Sequence, residues 1–270
     1  MNTVLLEETM VKKIIFAMGM ICLFLSGSAT AAQWVIKDNY IGGGMGSYQN
    51  NNGDVIAYYR HVDRFDITGM TVEIDDALNI KVKINTAFSP DTAGYGIDYG
   101  DLFISTNGWS APGRNDIYDP LNTDWEYVFD TSGLNIFSFS TSGARTSNDF
   151  GAAHTPNPWA INEYRRNQLV QFDPTGYNPT DEKIPGTNRF DKSDPGMLIY
   201  AFNLSDLGLS ADEEIELGFR WTMTCANDVI EGGVSLAAVP EPTTFILLGI
   251  GLVGIVGLGK KNIIGKSTHN

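Results

Sequence analysis

Phe65-Asp66-Ile67-Thr68-Gly69-Met70-Thr71-Val72-Glu73-Ile74, followed by Asp75-Asp76 and then Ala77-Leu78-Asn79-Ile80-Lys81-Val82-Lys83-Ile84-Asn85, is the stretch that decides the fold class. Its second half alternates cleanly and sets Leu78, Ile80, Val82 and Ile84 on one face, the period-two pattern of a half-buried strand. Its first half alternates in part, and Asp75-Asp76 between the two suits a hairpin turn. Working outward, the same signature marks Asp101–Thr106, Glu126–Asp130, Asn135–Ser140, Gln168–Phe172, Leu198–Leu204 and Ile215–Cys225 as strands. Gly, Pro, Asn and Asp fill the gaps, as turns require. Many short strands without a βαβ rhythm predict an all-β fold, an antiparallel β-sandwich of the jelly-roll, lectin-like kind. From Thr141 to Pro195 the chain is richest in Pro, Asn and Gly and reads as long loops, with a short helix as an option near Trp159–Gln168. No internal repeat is visible.

Charge narrows the partners. The 270-residue chain carries a net −14. Between residues 33 and 239 there are 13 basic against 29 acidic residues, a balance of −16. A domain this acidic repels nucleic acid and anionic lipid at long range, so nucleic-acid binding is disfavoured. Of the two cysteines, Cys22 lies near the N-terminus, which leaves Cys225 alone in the body with no intramolecular partner. Its spacing from Trp221 and Met223 reads as a buried thiol on a strand.

The two ends look like addresses rather than structure. Residues 1–32 read as a signal peptide whose true start is Met10. Lys12-Lys13 precede the apolar run Ile14–Leu25, and small residues allow cleavage after Ala31 or Ala32. Cys22 lacks the small residues that a lipidation site needs upstream. At the other end, Pro240-Glu241-Pro242 precedes a Gly-rich apolar run over about 243–259 and then Lys260-Lys261. At about 1.5 Å per residue such a helix just reaches across a bilayer, and the lysines predict a cytoplasmic C-terminus. The domain division is therefore 1–32 leader, 33–238 β-sandwich and 239–265 tail.

Motif, span and basic cluster in this order closely resemble the PEP-CTERM sorting signal. The resemblance implies recognition by an exosortase, transient insertion in the inner membrane, and a cell-surface or extracellular destination in a Gram-negative bacterium that makes exopolysaccharide or biofilm matrix. Signal peptidase would be the other processing partner. Three internal segments also resemble a recurrent group of such proteins: Phe65-Asp66-Ile67-x-Gly69-Met70, Gly100-Asp101-Leu102-Phe103-Ile104-Ser105 with Gly108-Trp109, and Cys225-Ala226-Asn227-Asp228, where the group carries Cys-Gly-Asn-Asp. That likeness implies a shared fold and location and no activity.

Chemistry is sparse by comparison. Glu73-Ile74-Asp75 approaches the Glu-x-Asp-x-Glu strand of retaining β-glucanases, in which period two sets the acids on one face. The third position is Ala77, and the variant one residue longer would need Leu78 to be acidic, so the general acid is missing. His61, His154 and His269 form no zinc motif, and Gly42–Gly46 is followed by no phosphate-binding lysine. No catalytic residue is assigned and no cofactor is required. Calcium is the candidate ligand, through Asp98, Asp101, Asp116 and Asp119, or the Asn188, Asp191 and Asp194 loop, because hard cations take loop carboxylates. Trp109, Trp125 and Trp159, with Tyr95 and Tyr99, lie in or beside loops and are candidates for stacking on sugar rings. The leading expectation is a structural or glycan-interacting surface protein rather than an enzyme. A secreted polysaccharide hydrolase and a calcium-stabilised adhesin are the alternatives.

Overall fold

The computed structural model describes residues 31–38, 62–90, 96–110, 123–139, 141–150, 167–176 and 183–238, together with Val55, Arg165 and Gly249. In chain order the elements are β1 (Ala32–Lys37), the single-turn helix α1 (Val62–Phe65), β2 (Ile67–Ile74), β3 (Asn79–Thr86), β4 (Leu102–Ser105), β5 (Tyr127–Asp130), β6 (Asn135–Ser138), β7 (Ala144–Thr146), α2 (Ser147–Phe150), β8 (Leu169–Phe172), β9 (Lys183–Ile184), β10 (Arg189–Asp191), β11 (Met197–Asn203), β12 (Ile215–Thr222) and β13 (Val229–Leu236). Two antiparallel sheets form the sandwich, in the orders β1-β2-β3-β11-β10 and β13-β12-β4-β5-β6-β9, and β7 with β8 makes a small third sheet.

The alternation in β3 works as read: Ile80, Val82 and Ile84 are buried while Lys81 stays exposed. They meet Met70, Val72 and Ile74 of β2, Leu198, Tyr200 and Phe202 of β11, and, from the facing sheet, Leu102, Ile104, Phe129, Leu217, Phe219 and Trp221. The crossovers interlock the layers. β3 adjoins β11 in one sheet, and their successors β4 and β12 adjoin in the other. A hydrogen bond also crosses the core, from the Trp221 indole N–H to the Tyr200 hydroxyl at 2.8 Å.

β4 is buried at every position. Ile104 faces the main core, whereas Phe103 faces a second cluster with Trp125, Val128, Leu169 and Phe172. The β7–β8 ribbon thus covers part of the outer face of the six-stranded sheet, and strands covered on both sides lose their polar positions. This corrects the loop reading of 141–195, which holds β7, α2, β9 and β10 besides the expected strand β8. Strands this short exist by pairing with what they cover and leave little mark on hydrophobic periodicity. Of the option of a helix near Trp159–Gln168, residues 159–164 and 166 lie outside the described residues and Gln168 leads straight into β8. The strand read over Ile215–Cys225 also ends earlier than its sequence indicates. β12 stops at Thr222, and Cys225 sits, buried, in the turn to β13 rather than on a strand.

Among the described residues, no helix is long and apolar enough to cross a membrane. The span read over 243–259 lies outside those residues apart from Gly249, as do residues 1–30 of the leader, Pro240, Glu241, Pro242, Lys260 and Lys261, whereas Ala32, read as the leader's last residue, opens β1.

Candidate functional site

Gly218 of β12 is paired with Gly233 of β13. Two facing glycines leave a hollow in the sheet surface, and the chain after β4 runs through it. A Cβ on Gly218 would lie 2.7 Å from the Gly108 carbonyl oxygen, and one on Gly233 would lie 3.0 Å from the Trp109 Cβ. Backbone can approach backbone this closely only where side chains are absent. Trp109 is thereby seated on the outer face of the sheet, with 37% of its surface exposed.

The ring is held as well as displayed. Its Nε1 donates to Glu231 Oε2 at 3.2 Å. The other Glu231 oxygen accepts from Arg220, whose Nε donates to the Leu169 carbonyl at 3.1 Å and whose second amino group donates to Gln168 Oε1 at 2.7 Å. The side chains of Arg220 and Glu231 are 1% and 6% exposed, so the pair is shielded from solvent screening and geometrically fixed. On the segment that leads to the ring, Glu126 accepts from the Thr106 amide at 2.6 Å and from the Asn107 side chain. Glu216, exposed, reaches within 3.0 Å of where a Gly108 Cβ would stand. The result is a rigid aromatic plate bordered by carboxylates.

The other stacking candidates have different fates. Trp125 is only 5% exposed and belongs to the cluster under β7 and β8, so its ring is core, not platform. Tyr99 is partly buried and packs edge-on against Phe88 and Phe190. Trp159 and Tyr95 lie outside the described residues.

The calcium candidates are also redistributed. Asp101 is buried, and its two oxygens accept from the backbone amides of Thr131 and Phe172, each at 2.8 Å. Burial outweighs these bonds and pushes its carboxyl up to about 7. Asp98 is exposed and engages Thr224 through its backbone. Asp101 is a clamp joining the start of β4 to the β5–β6 turn and β8. Asp116 and Asp119 lie outside the described residues. Asp191 pairs with Arg189 at 2.6 Å and accepts from Ser193.

Among the described residues, the carboxylates close enough to share a cation are Asp38, Asp66 and Asp228, one ligand atom of each lying within 4.8 Å of the others. A hard cation would find three oxygens there. Asp228 already serves the fold: Oδ2 accepts from the Ile67 amide at 2.6 Å and Oδ1 from the Val229 amide at 2.8 Å, which ties the start of β2 to the start of β13. The three internal motifs meet around this corner. Asp66 and Asp228 come from two of them, and Gly100 from the third donates its amide to Thr222 at 3.0 Å. A Cβ on Gly100 would strike the Thr222 and Val170 carbonyl oxygens at 2.1 and 2.6 Å, so only glycine fits. Ala226 has φ 49°, a left-handed conformation in which glycine is unstrained. Sequence reading had no signal for Asp38, nor for Arg220 and Glu231, whose partners are far away in the chain.

Glu73 and Asp75 are likewise committed. Glu73 pairs with Lys83 at 2.6 Å. Asp75 closes the hairpin by accepting from the Asn79 side chain and the Ala77 and Asn79 amides, bonds that hold its carboxyl below the usual range.

Residues 238–261 match the family model described as the PEP-CTERM protein-sorting motif. The chain carries a PEP-CTERM sorting signal. The match takes in Pro240, Glu241, Pro242, Lys260 and Lys261 and begins two residues after β13 ends. It marks an exported, exosortase-dependent protein with a cell-surface or extracellular destination. No curated protein and no solved structure matches the chain.

Proposed function

We propose that the sandwich is a glycan-interacting structural module, carried to the cell surface by its PEP-CTERM signal and working in exopolysaccharide or biofilm matrix without turning the polymer over. The observation that carries this reading is Trp109. It is the one large aromatic among the described residues that is both exposed and locked, its N–H fixed by Glu231 and its base seated on Gly233. A flat apolar ring pre-set in one orientation binds without first having to be ordered, and sugar rings present flat C–H faces to such plates. The acidic domain supports residence in an extracellular milieu through its solubility.

Cosedimentation of the full chain with isolated exopolysaccharide tests this. Trp109→Ala should weaken retention by about tenfold, the equivalent of about 1.4 kcal/mol, while thermal melting stays within a few degrees of the parent. Equal retention by the variant would remove the platform reading. Release of reducing sugar that stops on Glu73→Gln would favour the hydrolase alternative instead.

A further inference from the structure

We propose that the Trp109 platform selects glycans bearing free amino groups, such as a partly deacetylated hexosamine polymer, and discriminates against uronate polymers. This rests on Trp109 being the stacking residue.

Stacking alone does not select among these polymers, because a pyranose ring offers its C–H face whether the sugar carries an amine, a hydroxyl or a carboxylate. The selection comes from what borders the ring. Glu126, Glu216 and Glu231 all stand against the segment from Thr106 to Trp109. Glu231 is neutralised by Arg220, and Arg220 is itself enclosed, so that pair presents little net charge. Glu126 and Glu216 have no such counter-ion: among the described residues neither has a Lys or Arg in salt-bridge distance. Glu216 is exposed and free to approach a bound ligand. The background field has the same sign, with 29 acidic against 13 basic residues from 33 to 239. A sugar stacked on Trp109 therefore sits in negative potential. An ammonium there gains from the two carboxylates and a uronate loses, while a neutral sugar does neither.

Two carboxylates at a separation of roughly 8 Å in a water-like dielectric should shift affinity by about fivefold in each direction. The contrast should contract as salt brings the Debye length down from about 30 Å at 0.01 M to about 8 Å at 0.15 M.

The experiment is a titration of the full chain, held in detergent at pH 6, with three soluble oligosaccharides of equal length: tetraglucosamine, cellotetraose and tetragalacturonate. At about 10 mM salt, affinity should fall in that order, by about fivefold at each step. The spread should shrink at about 150 mM salt and on Glu216→Gln, a substitution at an exposed position that leaves melting unchanged. Tetragalacturonate binding as tightly as tetraglucosamine, or a spread insensitive to Glu216→Gln, overturns the selectivity while leaving the platform standing. Trp109→Ala should weaken all three interactions by about tenfold. Unchanged affinities in that variant, or no binding of any of the three to the parent, overturn the platform and the selectivity together.

Discussion

Asp101 shows how one buried carboxyl ties the fold to pH. Its ordinary value in an unfolded chain is about 3.9, and in the fold burial lifts it to about 7 against the pull of the Thr131 and Phe172 amides. Between these values the folded protein holds a proton that the unfolded chain has released. Folding is therefore favoured by this group at the acid end, and the contribution declines as pH rises to about 7. The upper limit of the effect is on the order of 4 kcal/mol. Asp75, Asp173 and Asp191, held below the usual range mainly by hydrogen bonds from Asn79, Thr175 and Ser193 respectively, act in the opposite sense. Their contribution is lost as pH falls through the carboxylate range, so stability should peak near its upper edge, at about pH 5. Melting temperature should fall from pH 5 to pH 8 in the parent. In Asp101→Asn the slope should flatten, with an overall loss of about 1–3 kcal/mol because the amide NH₂ faces one of the two backbone donors. An unchanged slope in the variant would show that another group titrates.

At the scale of elements, the β2–β3 hairpin is the case in which two local preferences collide. Asp75 accepts from the Ala77 and Asn79 amides, and the Leu78 amide returns to the Asp75 carbonyl at 2.9 Å, which leaves residue 78 to take the left-handed position at φ 60°. Glycine or asparagine is the usual occupant there. Leucine costs about 1–2 kcal/mol in that conformation, but it is 4% exposed and part of the main core. Emptying a buried leucine site costs about 3–5 kcal/mol, so packing wins. Leu78→Gly should relieve the backbone and still lower stability by about 1–3 kcal/mol in a denaturant titration; a rise in the midpoint would reverse the ranking of the two effects. The hairpin was legible because alternation and turn chemistry agree over twenty residues. β13 was not, since Glu231 and the Gly232-Gly233 pair interrupt its pattern for reasons that lie in Arg220, Ile36 and Trp109. Trp109 and Trp125 look alike in sequence, each beside a loop. Only the covering of one stretch of sheet by β7 and β8 separates a displayed ring from a buried one.

The whole molecule divides its labour between a body and an address. Every buried residue of the main core lies between Ile36 and Val234, and the strand that closes it ends at Leu236, whereas the sorting signal begins at residue 238. Body and address therefore abut in sequence without a spacer. Of the two cleavage sites expected from the sequence, the one after Ala31 would leave β1 whole, since that strand begins at Ala32 and pairs it with Ile74. A body whose described core ends before its address begins should keep its fold when that address is removed. Deleting residues 239–270 should accordingly leave the cooperative melting transition within about a degree or two, because no buried apolar surface of the described core is lost. The same deletion should abolish exosortase-dependent processing and shift the protein away from its surface or extracellular fraction, as measured by fractionation and intact mass. A truncated chain that melts normally and still reaches its usual fraction with the usual mass would show that the signal is not what directs it. A chain that no longer melts cooperatively would show that the tail is part of the body after all.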